Sequence, residues 1–132
     1  MKLTYNNASS LLISRFNEMK KIYDNDFKEL SEDCCHVLYS CEFVPYILKQ
    51  IQANNELELK KIFDFIELLM SSNDSDLVNL AEVSVIESLY FDHVCETHRA
   101  ALLKYCGKRT LQSFIECFDE EEKAAWENAK AA

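Results

Sequence analysis

Glycine and proline are almost missing from this chain: Gly107 and Pro45 are single occurrences in 132 residues. Tight strand-to-strand turns draw on both residues, so their scarcity points away from a hairpin-rich sheet and toward helices joined by short polar loops. One glycine also rules out the phosphate loop G-x-x-x-x-G-K-[ST] and the dinucleotide pattern G-x-G-x-x-G. H-E-x-x-H, G-x-S-x-G and C-x-x-C are absent as well, which removes the local signatures of several peptidases, hydrolases and zinc sites. No apolar run approaches the ~20 residues needed to cross a bilayer. The start, "MKLTYNNASS", lacks the apolar centre of a secretory signal. A cytoplasmic home without membrane contact is the expectation.

Bases are scarce too. The chain has 14 of them against 23 acids, a net charge of −9. The excess is uneven: residues 1–66 carry 10 acids and 8 bases, residues 67–132 carry 13 acids and 6 bases. A surface of that sign repels nucleic acid and anionic lipid and attracts basic proteins. Its plainer use is solubility. The basic pairs Lys20–Lys21, Lys60–Lys61 and Lys108–Arg109 are too few and scattered for direct nucleic-acid binding against this field.

What the chain does have is apolar material. Hydrophobic residues make up 48% and charged residues 28%, the balance of a folded globular chain. Its length suits one domain, residues 1–132, with a core of useful size. Six cysteines fit a reducing compartment as small buried hydrophobes, a secreted scaffold with three disulfides being the alternative.

Helical spacing organises most of the chain. Ser9 or Ser10 is placed to cap a helix reaching about Tyr23, with Leu12, Phe16, Met19 and Tyr23 as its stripe. Asp33 would cap a segment whose face is Cys34, Val37, Leu38 and Cys41. Pro45 punctuates the chain and suits the first turn of a helix over about 43–53. Asn55 and Glu58 resemble a capping box, opening a helix to about Ser71. Its broad face is Leu59, Ile62, Phe63, Ile66, Leu69 and Met70, and Leu57, Phe65 and Leu68 lie on another side, so it packs on two sides.

After "SSNDS", Asp74 or Ser75 caps a run to about Tyr90 whose apolar residues, Val78 and Val83 among them, go most of the way round. A buried strand competes for that run, and its length decides for a central helix. A further helix is expected over about 93–106, closed by Gly107 in the left-handed conformation. Thr110 would cap another, with Leu111, Phe114, Ile115 and Phe118 inward. Residues 119–132 form a C-terminal helix free to fray, with Trp126 as its pin. The expected fold is all-α: an irregular helical array or orthogonal bundle of about six to seven helices with HEAT-like packing.

Chemistry is hard to find. His93, Cys95 and His98 form one group of metal-type ligands and Cys34, Cys35, His36 and Cys41 another. Neither contains C-x-x-C; Cys95 and His98 are one turn apart with His93 at the helix start, and packed segments with cysteine as filler are the competing explanation of both groups. A thiol enzyme would need a thiolate beside a base, and no local motif marks one. The run Asp119, Glu120, Glu121 and Glu122 is contiguous. Such a run stays solvated or meets a basic surface, because metal binding and acid–base work need convergence from separate elements. No catalytic residue, cofactor or metal is therefore assigned.

The segment "FVPYILKQIQANNELELKKIFDFIELLMSSNDSDLVNLAEVSVIESLYFD", Phe43 to Asp92, resembles a family of small all-helical bacterial domains. The shared marks are a Val-Pro near a helix start, an "LKKIFDFIELLMSS" helix, an Asp/Asn turn and an "NLAEVSVIESL" helix, extending loosely to "YCGKRTLQSF". Similar domains serve as immunity proteins of contact-dependent growth inhibition and related toxin systems. The resemblance implies a non-enzymatic toxin inhibitor, and it transfers no active site. The implied partner is a basic toxin domain, of nuclease type, whose active site the protein would occlude with carboxylates standing in for phosphates. The residues expected to meet it are Asp74, Asp76, Asp92, Glu96, Glu116, Asp119, Glu120, Glu121 and Glu122. The alternatives are a helical adaptor or regulatory subunit with another partner, and a thiol- or zinc-dependent enzyme.

Overall fold

A 3-10 turn, Tyr5–Asn7, leads directly into α1 (Ala8–Arg15). The structure, a computed structural model, describes residues 2–27, 35–91 and 103–131, and among them every regular element is helical. Ser9 and Ser10 fall inside the first turn of α1 rather than capping it. The first helix is also shorter than its periodicity suggests. Phe16 is extended (φ −128°, ψ 108°), and the chain restarts as α2 (Asn17–Ile22), with a wide turn, Tyr23–Phe27, at its end. The break sends Phe16 into the core, where its ring lies 5.2 Å from Phe43 and 5.4 Å from Phe65.

The next helix, α3, runs without interruption over residues 35–52, and Pro45 lies inside it. Proline normally ends a helix because it lacks an N–H and its ring meets the carbonyl four residues back. Here the turn before it, Leu38–Phe43, is π-wound, and the Val44 N–H reaches the Tyr39 carbonyl five residues back. The wider turn makes room for the ring. It also rotates the face. Cys35, Leu38, Tyr39 and Phe43 are buried, while Val37 and Cys41 are exposed, unlike the face drawn from regular spacing.

Asn54 takes a left-handed φ of 53°, and the Asn55 N–H bonds the Gln50 carbonyl at 3.1 Å, closing α3. Asn55 then caps α4 (Glu56–Met70), accepting from the Glu58 N–H at 3.3 Å. The capping box is half formed, since the Glu58 carboxylate goes to the Tyr46 hydroxyl instead. Both sides of α4 are covered as expected, Phe65 included, but Leu57 is 86% exposed at its start.

Helix α5, residues 75–91, is the central one. The Tyr5–Asn7 turn, α3 and α4 all pack against it, as does α6 (Lys108–Glu116). It too contains a π-wound stretch, Ala81–Glu87, which lies against that of α3. A 2.6 Å hydrogen bond between His36 Nδ1 and the buried Ser84 Oγ joins the two. Leu77, Leu80, Ala81, Val85, Ile86 and Leu89 are buried, but Val83 faces outward. One core holds apolar residues from Ala8 to Phe118.

Asp74 caps α5 and does more. One carboxylate oxygen accepts from the Asp76 N–H at 3.0 Å and the other from the Tyr5 N–H at 2.8 Å. The Ser72 hydroxyl donates to the Leu3 carbonyl at 2.5 Å. The N-terminal segment is thereby fastened to the α4–α5 turn. The Tyr5 N–H, followed by those of Asp76 and Leu77, holds the Asp74 carboxyl below the usual carboxylate range. A depressed carboxyl stabilises the fold above its unfolded pKa of about 3.9, and that contribution is lost as pH falls through its lower folded value. Asp74→Asn is therefore expected to melt below the parent at pH 7, with the gap closing below about pH 4. Thermal melts of both proteins across that range check this; a gap constant with pH would rule out a carboxylate contribution.

Gly107 departs from expectation. It is extended (φ −70°, ψ 174°) and caps α6, and the described residues include no glycine with positive φ. Its value lies in lacking a side chain: a Cβ there would sit 2.5 Å from Glu67. Glu67 reaches from α4 to the start of α6, accepting from the Thr110 N–H at 2.9 Å, the Thr110 hydroxyl at 3.0 Å and the Arg109 N–H at 3.3 Å. Thr110 is fully buried and serves as a client of this cap, not as a cap itself. Phe114 and Phe118 are buried, with Leu111 and Ile115 at the margin. The last helix, α7, is Glu120–Ala131. The expected helix over 93–106 falls mostly outside the described residues, as do Asp33, Cys34 and the Trp126 side chain.

An acidic groove as candidate functional site

A groove of about 260 Å³ runs between α5 and α6. Met70, at the end of α4, and Val78 supply its apolar part. Glu82 stands one turn beyond Val78 on α5. The α6 wall is a single helical face of Arg109, Gln112, Ser113 and Glu116. Glu87 adds a third carboxylate close enough to be felt by Glu82 and by Cys117. Burial, then Glu116 and Glu87, push the Glu82 carboxyl above the usual range. Among the described residues none of these three glutamates forms an ion pair; the pairs present are Lys21–Glu18 and Lys60–Asp64, both remote in sequence from the groove. Such a site attracts cations.

The residues expected to face a partner fall into separate environments. Glu116 lines the groove. Asp76 is exposed in the first turn of α5, whereas Asp74 is engaged by the N-terminal segment. Asp119 starts α7, accepting from the Glu122 N–H at 2.8 Å, so part of the acidic run is explained by its position at a helix N-terminus. Glu122 receives the Tyr90 hydroxyl at 2.5 Å, and Glu120 and Glu121 are exposed. Asp92 and Glu96 lie outside the described residues. Glu82, Glu87 and Ser113 were not singled out by sequence. Their spacing marks helix faces, but only the α5–α6 packing shows that the faces meet.

The candidate ligand groups are also separated. His36 is held by Ser84, Cys35 is buried and Cys41 exposed. His93, Cys95 and His98 lie outside the described residues. Among the described residues no three His, Cys, Asp or Glu side chains gather in a metal-holding set. Burial, then Glu67, pushes the Cys106 thiol up to about 12, and burial followed by Glu87 raises that of Cys117. Both thiols are protonated near neutrality and poorly nucleophilic. No helix among the described residues is long and apolar enough to cross a membrane.

No curated protein and no solved structure matches the chain. One family does. Residues 9–123, from α1 into the first turns of α7, match "Domain of unknown function (DUF7674)", and the chain belongs to that family.

Proposed function

We propose that this protein is a non-enzymatic binding module that neutralises a basic partner, in the manner of an immunity protein covering a nuclease-type toxin domain. The observation that carries this reading is the acidic surface of α5, α6 and the start of α7, where Asp76, Glu116, Glu120 and Glu121 are exposed, in a chain whose second half holds most of the negative charge. Nucleases hold phosphates with basic residues. Carboxylates on a rigid helical scaffold are drawn to such a site and deny it to substrate. A stable complex of this kind removes about 800 Å² from each partner, near a tenth of the 7814 Å² surface here, so one face suffices.

The test uses acids that the fold does not need. Asp76, Glu120 and Glu121, all exposed, are reversed to lysine and the protein is co-expressed with a candidate basic toxin domain of nuclease type. The association rate is expected to fall at least about tenfold at low salt, with protection lost. Unchanged protection and unchanged affinity would refute the role of this surface. Stable binding to a non-toxic protein, without protection against any toxin, would replace the reading with that of an adaptor.

A further inference from the structure

The groove carries a second feature that its acidity does not explain. Ser113 lines it and is 8% exposed, and among the described residues its hydroxyl has no hydrogen-bond partner. Buried hydroxyls nearly always have a partner. Two other helical serines find theirs in their own backbone: Ser40 Oγ donates to the His36 carbonyl at 2.7 Å and Ser14 Oγ to the Leu11 carbonyl at 2.8 Å. Ser113 instead leaves a donor and two acceptor positions on the groove wall.

We propose that the groove receives one arginine side chain from a protein partner, its stem along Met70 and Val78 and its guanidinium among Glu82, Glu116 and the Ser113 hydroxyl. This rests on the reading of the chain as a binder of a basic protein and narrows that reading to one contact. Four observations select the guest. At about 260 Å³ the groove is below the roughly 300–1,000 Å³ typical of cofactor and drug-sized sites, so it suits a side chain. Among the described residues the carboxylates do not converge as metal ligands do, which favours an extended organic cation. Glu82 and Glu116 come from different helices, and the forked, five-donor guanidinium can address both together with a hydroxyl, where a lysine ammonium acts as a compact point charge. Finally, a cation on an apolar stem matches a groove with Met70 and Val78 beside its acids.

Arg109, two turns from Glu116 on the same wall, makes no ion pair with these acids among the described residues. It sets the polarity of the groove, turning the charged end of a guest toward Glu116. Burial, then the like charges of Glu116 and Glu87, raise the proton affinity of Glu82, and a bound guanidinium would relieve the repulsion among the three.

The probe is a blocked Ala-Arg-Ala peptide titrated into the ¹⁵N-labelled full chain, with its lysine and citrulline counterparts, at about 0.01 M salt where screening is weak. Saturable shifts are expected at the amides of Val78, Glu82, Gln112, Ser113 and Glu116 with the arginine peptide, and none with citrulline, which keeps the shape without the charge. Glu82→Gln and Glu116→Gln should each weaken binding roughly threefold to fivefold and Ser113→Ala by about threefold. None of these changes removes a contact on which the core depends.

Silence at those amides, an equal response to citrulline, or affinity indifferent to all three substitutions would overturn the proposal. A lysine peptide bound as tightly would overturn the choice of arginine. The broader reading is judged separately by the Asp76, Glu120 and Glu121 reversals, which leave the groove intact. A silent groove with protection lost on reversal removes only this contact.

Discussion

Phe43→Ala is expected to lower the melting temperature by roughly 10–20 °C, while Val37→Ala on the same helix changes it by at most about 2 °C. Phe43 is fully buried where α3 leaves its π-wound turn. Its ring meets those of Phe16, Tyr39 and Phe65 at centroid distances of 5.2, 5.8 and 6.0 Å, the latter two edge-on. Truncating a phenylalanine in such a site costs about 3–5 kcal/mol in lost burial and cavity formation. That is a large share of the ~5–15 kcal/mol that holds a domain together. Val37 is 47% exposed, so its methyl groups contribute little. Thermal melts followed by circular dichroism give both numbers. A Phe43→Ala protein melting within a few degrees of the parent would show that the aromatic cluster is not the keystone of the α2–α3–α4 packing.

That cluster marks the limit of what periodicity could reveal. The stripes of α4 and α5 were legible because each helix repeats its apolar residues for four turns or more, and the caps Asn55 and Asp74 stand at their starts. Phe16 was assigned to the right core and the wrong backbone, since a stripe specifies which residues go inward but not whether the helix bends to admit them. Pro45 looked like a boundary because a regular helix rejects it; the π turn that admits it has no signature among its own residues. Gly107 was read through conformational freedom, although its surroundings, not its dihedral angles, exclude a side chain. The candidate site was legible as a sign of charge and, at Glu116, as a residue. Glu116 faces Met70 of α4 and Val78 and Glu82 of α5 across the groove, and a pairing of faces remote in sequence is a tertiary fact.

Glu67 and Gly107 supply the second large effect, and their coupling is the diagnostic quantity. Glu67→Ala removes the acceptor of two donors on Thr110, a residue with no exposed surface, and of the Arg109 N–H. Stranding buried donors costs about 1–3 kcal/mol each, and the start of α6 also loses a favourable negative charge worth up to about 1 kcal/mol. Partial relief by water brings the expected total to roughly 2–4 kcal/mol. Gly107→Ala should cost a similar amount for a different reason. The backbone there is one that any residue adopts, so no strain arises, but the three atoms nearest the new Cβ, at 2.5, 2.5 and 2.6 Å, all belong to Glu67. The methyl group drives the carboxylate off the helix end. Once Glu67 is already alanine, those three atoms are gone and adding the methyl group should be nearly neutral. The double substitution is therefore expected to cost about as much as either single one, leaving a coupling of roughly 2–3 kcal/mol in a denaturant-melt cycle. Costs that add to within about 0.5 kcal/mol would mean that Gly107 and Glu67 act independently, and that something other than the α4 carboxylate secures the start of α6 and, with it, the α6 wall of the acidic groove.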